Sequence, residues 1–243
     1  MVASPVFGEM MGTFVLILLG DGVVAGVLLK QSKGENAGWL AITAGWAFAV
    51  LAGVVTAGAS GSPDAHLNPA VTLAAAISSG NFSKVLPYWF AQLIGAFLGA
   101  VVVWVHYGPH WALTTDADLK LGVFCTSPAV RRPLANVTSE IIGTFVLVLV
   151  AAAIFSSRLA AGGPAPGIGP ALVGSLVWGI GLSLGGTTGY AINPARDLGP
   201  RLAHAILPVR GKRDSDWSYA PIPVIGPLLG GVLGGLFIRF ARF

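Results

Sequence analysis

The 243-residue chain is 54% hydrophobic and only 10% charged, with a mean hydropathy of +0.77. That balance excludes an ordinary soluble domain and points to an all-α membrane protein with several spans. Its net charge of +4 is spread over loops and termini without a basic block or interleaved aromatics, which excludes a nucleic-acid partner of the usual kind.

A bilayer core of about 30 Å needs about 20 apolar residues per helix, so the charge-free stretches locate the spans. The first runs from about Pro5 to Leu29 and closes in a polar turn from Lys30 to Asn36. It carries Glu9 and lacks a basic leading region, so it is read as a retained span and not as a cleaved signal. The second covers roughly Trp39 to Gly58, followed by a turn-rich link, Ser60 to Asp64. Pro69 to about Ser79 is a short helix ended by Gly80-Asn81, and a third span runs from about Val85 to His106. The stretch 107–137 reads as a long loop in which Pro109, Pro128 and Pro133 break any helix. Glu140 to about Ser157 is the fourth span, with a glycine- and proline-rich connection over 161–169. The fifth span, about Pro170 to Leu184, leads to a second short helix, Pro194 to about Ala205. A basic loop around Arg210 to Asp216 precedes the last span, about Tyr219 to Phe240. The count is six crossings and two re-entrant half-helices.

An internal repeat supports that count. Glu9-x-x-Gly12-Thr13-Phe14-Val15-Leu16 returns as Glu140-x-x-Gly143-Thr144-Phe145-Val146-Leu147. Each copy opens a unit that holds one short helix, giving halves of about 1–106 and 138–243 within one transmembrane domain spanning 1–243. Three crossings per unit is an odd number, so the second half inserts upside down relative to the first.

Each short helix begins with the same triplet, Asn68-Pro69-Ala70 and Asn193-Pro194-Ala195. Asn is a good N-cap and Pro is tolerated at the first helical position, so the triplet is a helix start. One such triplet fits a soluble helix equally well; two of them, each opening a helix too short to cross and each set among apolar runs, do not. Two helix starts facing each other at mid-membrane present backbone N–H groups, positive dipole ends and the amides of Asn68 and Asn193 to a shared channel. A neutral hydroxylated solute finds donors there, and a cation finds two positive ends.

The single cysteine, Cys125, is expected to be a buried or loop thiol. His66, His106, His110 and His204 show no ligand spacing, so neither a metal nor a cofactor is expected. No nucleophile–base pair or phosphate-cradling loop suggests an enzyme.

Together these pieces, with Ala65-His66-Leu67 before the first triplet, Arg196-Asp197-Leu198-Gly199-Pro200-Arg201 after the second, and Pro223-Val224-Ile225-Gly226-Pro227, resemble the aquaporin and glycerol-facilitator family over nearly the whole chain. The resemblance implies the aquaporin-like fold, a homotetramer with one pore per subunit in the cell membrane, and both termini cytoplasmic. The charge pattern argues the other way. Ten Lys and Arg lie on the side of the first, third and fifth loops and four on the opposite side, which by the positive-inside rule puts the termini outside. The resemblance is taken over the charge count.

Asp197 directly after Arg196, with Arg201 four residues on, is similar to the glycerol-conducting branch. The same resemblance assigns a selectivity filter to Gly181, Tyr190, Arg196 and an aromatic from the second span, Trp46, with Gly45 or Phe48 as the alternatives if the gap before His66 is shifted. Aromatic faces on one side and Arg196 with backbone carbonyls on the other fit the carbon and hydroxyl edges of a polyol. Glu9 and Glu140 occupy equivalent places in the repeats and are expected to brace the re-entrant loops by accepting backbone N–H bonds. Asp21 is either solvated near the mouth or lines the outer vestibule beside Arg196. His66 is expected to line the inner half of the pore. The implied function is a passive channel for glycerol and other small uncharged solutes, with water. The alternatives are a channel for undissociated lactic acid and, from another class, a proton-coupled transporter using Glu9, Glu140 and Asp21.

Overall fold

A computed structural model describes residues 3–159, 161–165 and 167–241. The described chain forms ten helices: α1 (Pro5–Leu28), α2 (Gly38–Ala59), α3 (Pro69–Ser79), α4 (Val85–His106), α5 (Gly108–Leu113), α6 (Ala117–Phe124), α7 (Pro133–Phe155), α8 (Ile168–Leu184), α9 (Pro194–Ile206) and α10 (Ile222–Ala241). Five of them, α1, α2, α4, α7 and α10, are long and apolar enough to cross a bilayer. The sixth crossing is α8, a largely apolar helix whose 17 residues extend roughly 26 Å at 1.5 Å per residue. Outward faces carry large apolar side chains such as Leu40, Phe48, Phe90 and Ile142, as lipid contact requires.

Helix ends follow local chemistry. Ser4 caps α1 by accepting a bond from the Phe7 N–H at 3.2 Å, with Pro5 in the first turn. α3 stops where Gly80 adopts φ +78°, a left-handed conformation that glycine reaches without a Cβ penalty.

The sequence expectations for 107–137 and for the starts of two spans are corrected here. The stretch 107–137 is not an extended loop: it holds α5 and α6, and α7 begins at Pro133, seven residues ahead of the expected Glu140. Pro109 and Pro133 sit in the first turns of α5 and α7, where the missing N–H costs nothing, so they start helices instead of breaking them. Asn136 secures the start of α7 by accepting from the Arg132 N–H and donating to the Val130 carbonyl. Likewise α8 starts two residues before Pro170. Pro166, within the expected connection over 161–169, lies outside the described residues.

The two short helices tie the halves together. α3 packs mainly on α10, and α9 mainly on α4, so each short helix rests on the last span of the other half. Close approach permits this: a Cβ on Gly231 of α10 would lie 2.5 Å from the Ala70 carbonyl oxygen. The α1–α4 seam depends on the same device at Gly95, where a Cβ would meet the Met10 carbonyl oxygen at 2.2 Å.

Candidate functional site: a lane between two helix starts

Asn68 and Asn193 are the N-caps of α3 and α9, each with its Oδ1 turned to its own helix. Asn68 accepts from the Ala70 N–H at 2.9 Å; Asn193 accepts from Ala195 and Arg196 N–H groups at 3.0 and 3.2 Å. Their amide nitrogens cross over. Asn68 Nδ2 donates to the Ile192 carbonyl and Asn193 Nδ2 to the Leu67 carbonyl, both at 2.8 Å, locking the helix starts tip to tip. Each amide carries two N–H donors, so each has one beyond this cross-bond.

The segments entering the two helices share an unusual backbone. Ala65 and Leu67 before Asn68, and Tyr190 and Ile192 before Asn193, all have positive φ, between 37° and 51°. Such conformations cost about 1–3 kcal/mol each for non-glycine residues and persist only when the surroundings hold them. Two buried carboxylates do the holding. Glu9 accepts from the His66 and Leu67 N–H groups at 2.8 and 2.7 Å, from the Ser62 hydroxyl at 2.7 Å and from Gln92 Nε2 at 2.8 Å. Glu140 accepts from the Ala191 and Ile192 N–H groups at 3.0 and 2.8 Å, with a further bond from Thr188.

Two cavities adjoin the site, and the first of them is walled by both asparagines. One, of about 160 Å³, is lined by apolar side chains such as Val50, Val54 and Leu147 on one side and by His66, Asn68 and Asn193 on the other. The second, of about 250 Å³, is lined by Val24, Trp39, Cys125 and Thr126 among others, with Gly122 of α6 in its wall. Three side chains belong to the walls of both: Trp46, Tyr190 and Arg196. The Arg196 guanidinium carbon stands 4.1 Å from the centre of the Trp46 ring, and the Tyr190 hydroxyl and Arg196 Nη1 are buried without a hydrogen-bond partner among the described residues. The wall shared by the two cavities therefore carries two aromatic side chains and a guanidinium.

Of the three second-span residues considered, Trp46 is the one in these walls. Phe48 is 64% exposed on the outer surface, and a Cβ on Gly45 would meet Val23. Gly181 lines neither cavity but backs the narrow point, because a Cβ there would lie 2.8 Å from Tyr190 Cζ. Trp39, which sequence reading left out, donates from Nε1 to the Gly181 carbonyl at 3.1 Å and meets the Tyr190 ring edge-on at 5.7 Å. Its position at a span end is the signal that marked it, since Trp favours membrane interfaces.

Other expected site residues sit elsewhere. Asp21 is neither solvated nor in a cavity wall: it is fully buried in α1, with Oδ1 3.7 Å from Arg196 Nη1. Asp197 and Arg201 also lie outside the lane. They form a buried pair at 2.7 Å (Nε to Oδ1) and 3.0 Å (Nη2 to Oδ2), and Arg201 also donates to the Thr126, Ser215 and Asp216 carbonyls while Asp197 accepts from the Thr126 N–H and hydroxyl. That network pins the loop after α6 and the loop before α10 onto α9. His66 lines the first cavity, with Nδ1 3.2 Å from the Thr72 hydroxyl. Cys125 is buried in the wall of the second. Among the described residues no cluster of His, Cys, Asp and Glu could hold a metal ion.

Six crossings around two opposed half-helices, with a polar lane where their tips meet, define a helical membrane channel of the aquaporin fold. The model of the major intrinsic protein family matches residues 2–238, and the chain belongs to that family. It is a passive channel protein and not an enzyme. A probable glycerol uptake facilitator protein of Thermotoga maritima is 57% identical over 232 residues, covering 95% of this chain and 96% of the relative. The glycerol uptake facilitator protein of Bacillus subtilis is 51% identical over 237 residues, 97% of this chain and 84% of the relative. The X-ray structure of the aquaglyceroporin from Plasmodium falciparum superposes with a TM-score of 0.83 at 29% identity, covering 97% of this chain and 94% of that one.

Proposed function

We propose that the chain conducts glycerol and other small uncharged solutes, with water, down their gradients, and that Trp46, Tyr190, Arg196 and the supporting Gly181 form its selectivity filter. The observation that carries this reading is the set of three side chains common to both cavities, Trp46, Tyr190 and Arg196. A polyol has a carbon edge and a hydroxyl edge. The aromatic faces of Trp46 and Tyr190 take the first, and the Arg196 guanidinium takes the second. An ion gains too little here to replace its hydration shell, and the two helix starts turn their positive ends toward an approaching cation. At the tip-to-tip junction the opposed helix starts and the remaining Asn68 and Asn193 donors orient water oppositely on the two sides, which interrupts proton relay. Glu9 and Glu140, with their lone pairs taken up by loop N–H groups, serve as braces and not as proton carriers.

The working unit in this reading is a homotetramer in the cell membrane with both termini cytoplasmic, and the cavity with Gly122 of α6 in its wall is the outer vestibule. The halves about 1–106 and 138–243 are an inverted repeat sharing the central lane. In proteoliposomes, glycerol flux is expected to rise linearly with the gradient and to ignore an imposed proton gradient. Saturable uphill accumulation would overturn the reading in favour of a coupled transporter. Flux of lactic acid that follows its protonated fraction and exceeds glycerol flux would replace the polyol with a neutral acid as the main solute. Protease protection of a tag at either end tests the orientation.

A further inference from the structure

Asp21 is a buried carboxylate with neither oxygen hydrogen-bonded among the described residues. Burying such a group is costly unless another charge answers it. The partner at hand is Arg196, whose Nη1 lies 3.7 Å from Asp21 Oδ1 and also lacks a hydrogen bond among the described residues. Asp197, adjacent to Arg196 in the chain, is taken up by Arg201 and Thr126. Helix architecture does not demand an acid at position 21: the displacement that relates Glu9 to Glu140 puts Ala152 at the corresponding place in the second copy.

The neighbouring residue works on the same guanidinium. A Cβ on Gly20 would fall 2.2 Å from Trp46 Cζ3, so glycine is what lets the indole lie against α1 and present its face to Arg196 at 4.1 Å. Gly20 and Asp21 thus hold Arg196 from two directions, through the indole and through charge. Resting on the reading of this constriction as the solute filter, we propose that Asp21 is a specificity-determining residue acting through Arg196. In its ionised form it is a counter-charge behind the lane that leaves the narrow point without net positive charge, so that small monovalent anions find no binding site there. A desolvated guanidinium with free donors and no counter-charge is a good receptor for a planar oxyanion, which accepts two parallel N–H bonds. Such an anion seated at the narrow point would obstruct the solute.

The experiment compares glycerol flux in proteoliposomes bathed in nitrate with flux in a large impermeant sulfonate at equal ionic strength, each protein serving as its own reference. The wild-type ratio is expected to stay near one. In Asp21→Asn, and in Asp21→Ala, which installs the residue of the second copy, flux in nitrate is expected to fall at least about threefold against flux in sulfonate. A purely structural role for Asp21 could lower flux in both salts but would not split them. Wild-type protein already blocked by nitrate, or a glycerol-conducting variant as indifferent to nitrate as wild type, overturns this inference alone. Wild-type protein that passes no glycerol overturns the proposed function and takes this inference with it.

Discussion

At position 181 a Cβ would lie 2.8 Å from Tyr190 Cζ and 2.9 Å from its hydroxyl, so a side chain there cannot be added with the Tyr190 ring in place. The ring is hemmed on another side by Trp39 and moves, if it moves, into the lane. Gly181→His is therefore expected to lower glycerol flux by roughly tenfold or more, with water flux reduced less, because one bulky group can block a solute that water passes. Adding Tyr190→Ala to that variant should recover part of the glycerol flux in stopped-flow measurements. Full glycerol flux in Gly181→His would show that the narrow point lies elsewhere. Away from the lane, the buried Asp197–Arg201 pair supports loops and not selectivity. Asp197→Asn leaves Arg201 buried with a weaker partner and is expected to cost about 3–5 kcal/mol of stability, read as earlier unfolding in detergent, while the ranking of permeant solutes is kept.

The two short helices differ in how firmly their entry segments are held, although their tips are alike. Glu9 takes four hydrogen bonds, two from backbone and two from the side chains of Ser62 and Gln92, whereas Glu140 takes two from backbone and one from Thr188. Bonds to an ionised group contribute about 1.5–3 kcal/mol each, and Gln presents a donor where one oxygen accepted. Both Glu→Gln changes should lower the unfolding temperature, Glu9→Gln more than Glu140→Gln; equal shifts would mean that the side-chain bonds of Glu9 add nothing. The loop joining α9 to α10 is fastened differently, through Asp216. Burial alone would raise its pKa, but bonds from Arg131 and Ser218 and the charges of Arg131 and Arg201 outweigh that and hold the carboxyl below its ordinary value. A carboxyl lowered in the folded state contributes stability that is present above its unfolded value and lost as pH falls through its folded one. Protease cleavage in this loop should thus stay slow at neutral pH and quicken in acid below the usual carboxylate range, and Asp216→Asn should quicken it at neutral pH.

Over the whole molecule, the lane exists because each half lends its short helix to the other. α3 on α10 and α9 on α4 bring Asn68 and Asn193 within reach of carbonyls more than a hundred residues away in the chain. A lane built this way has no moving carrier, and in the proposed reading it passes solute without charge. Planar-bilayer recordings in a glycerol gradient are expected to show no current accompanying the flux. A current comparable to the solute rate would remove the basis for ion exclusion.

Features that short-range chemistry dictates can be read along the chain. Asn followed by Pro starts a helix wherever it stands, so both short helices and their caps were legible at Asn68 and Asn193; the apolar runs gave the six crossings, and the repeated Glu-x-x-Gly-Thr marked the two halves. Pro109 and Pro133 open α5 and α7 where a proline-breaking rule expects a loop, and α6 starts without proline on an Asp116 cap. Relations across the bundle emerge only from the packing of the helices. Trp46 separates from Gly45 and Phe48 by the face it turns inward, and a one-residue rotation on a helix that is apolar all round leaves little trace in sequence. Trp39 meets Gly181 from another helix, and Asp21, which chain position suggested to be wet, is sealed beside Arg196. Side-chain burial and pairing depend on which helices approach and how closely, and in this fold glycines such as Gly20 and Gly231 set that approach between segments far apart in the chain.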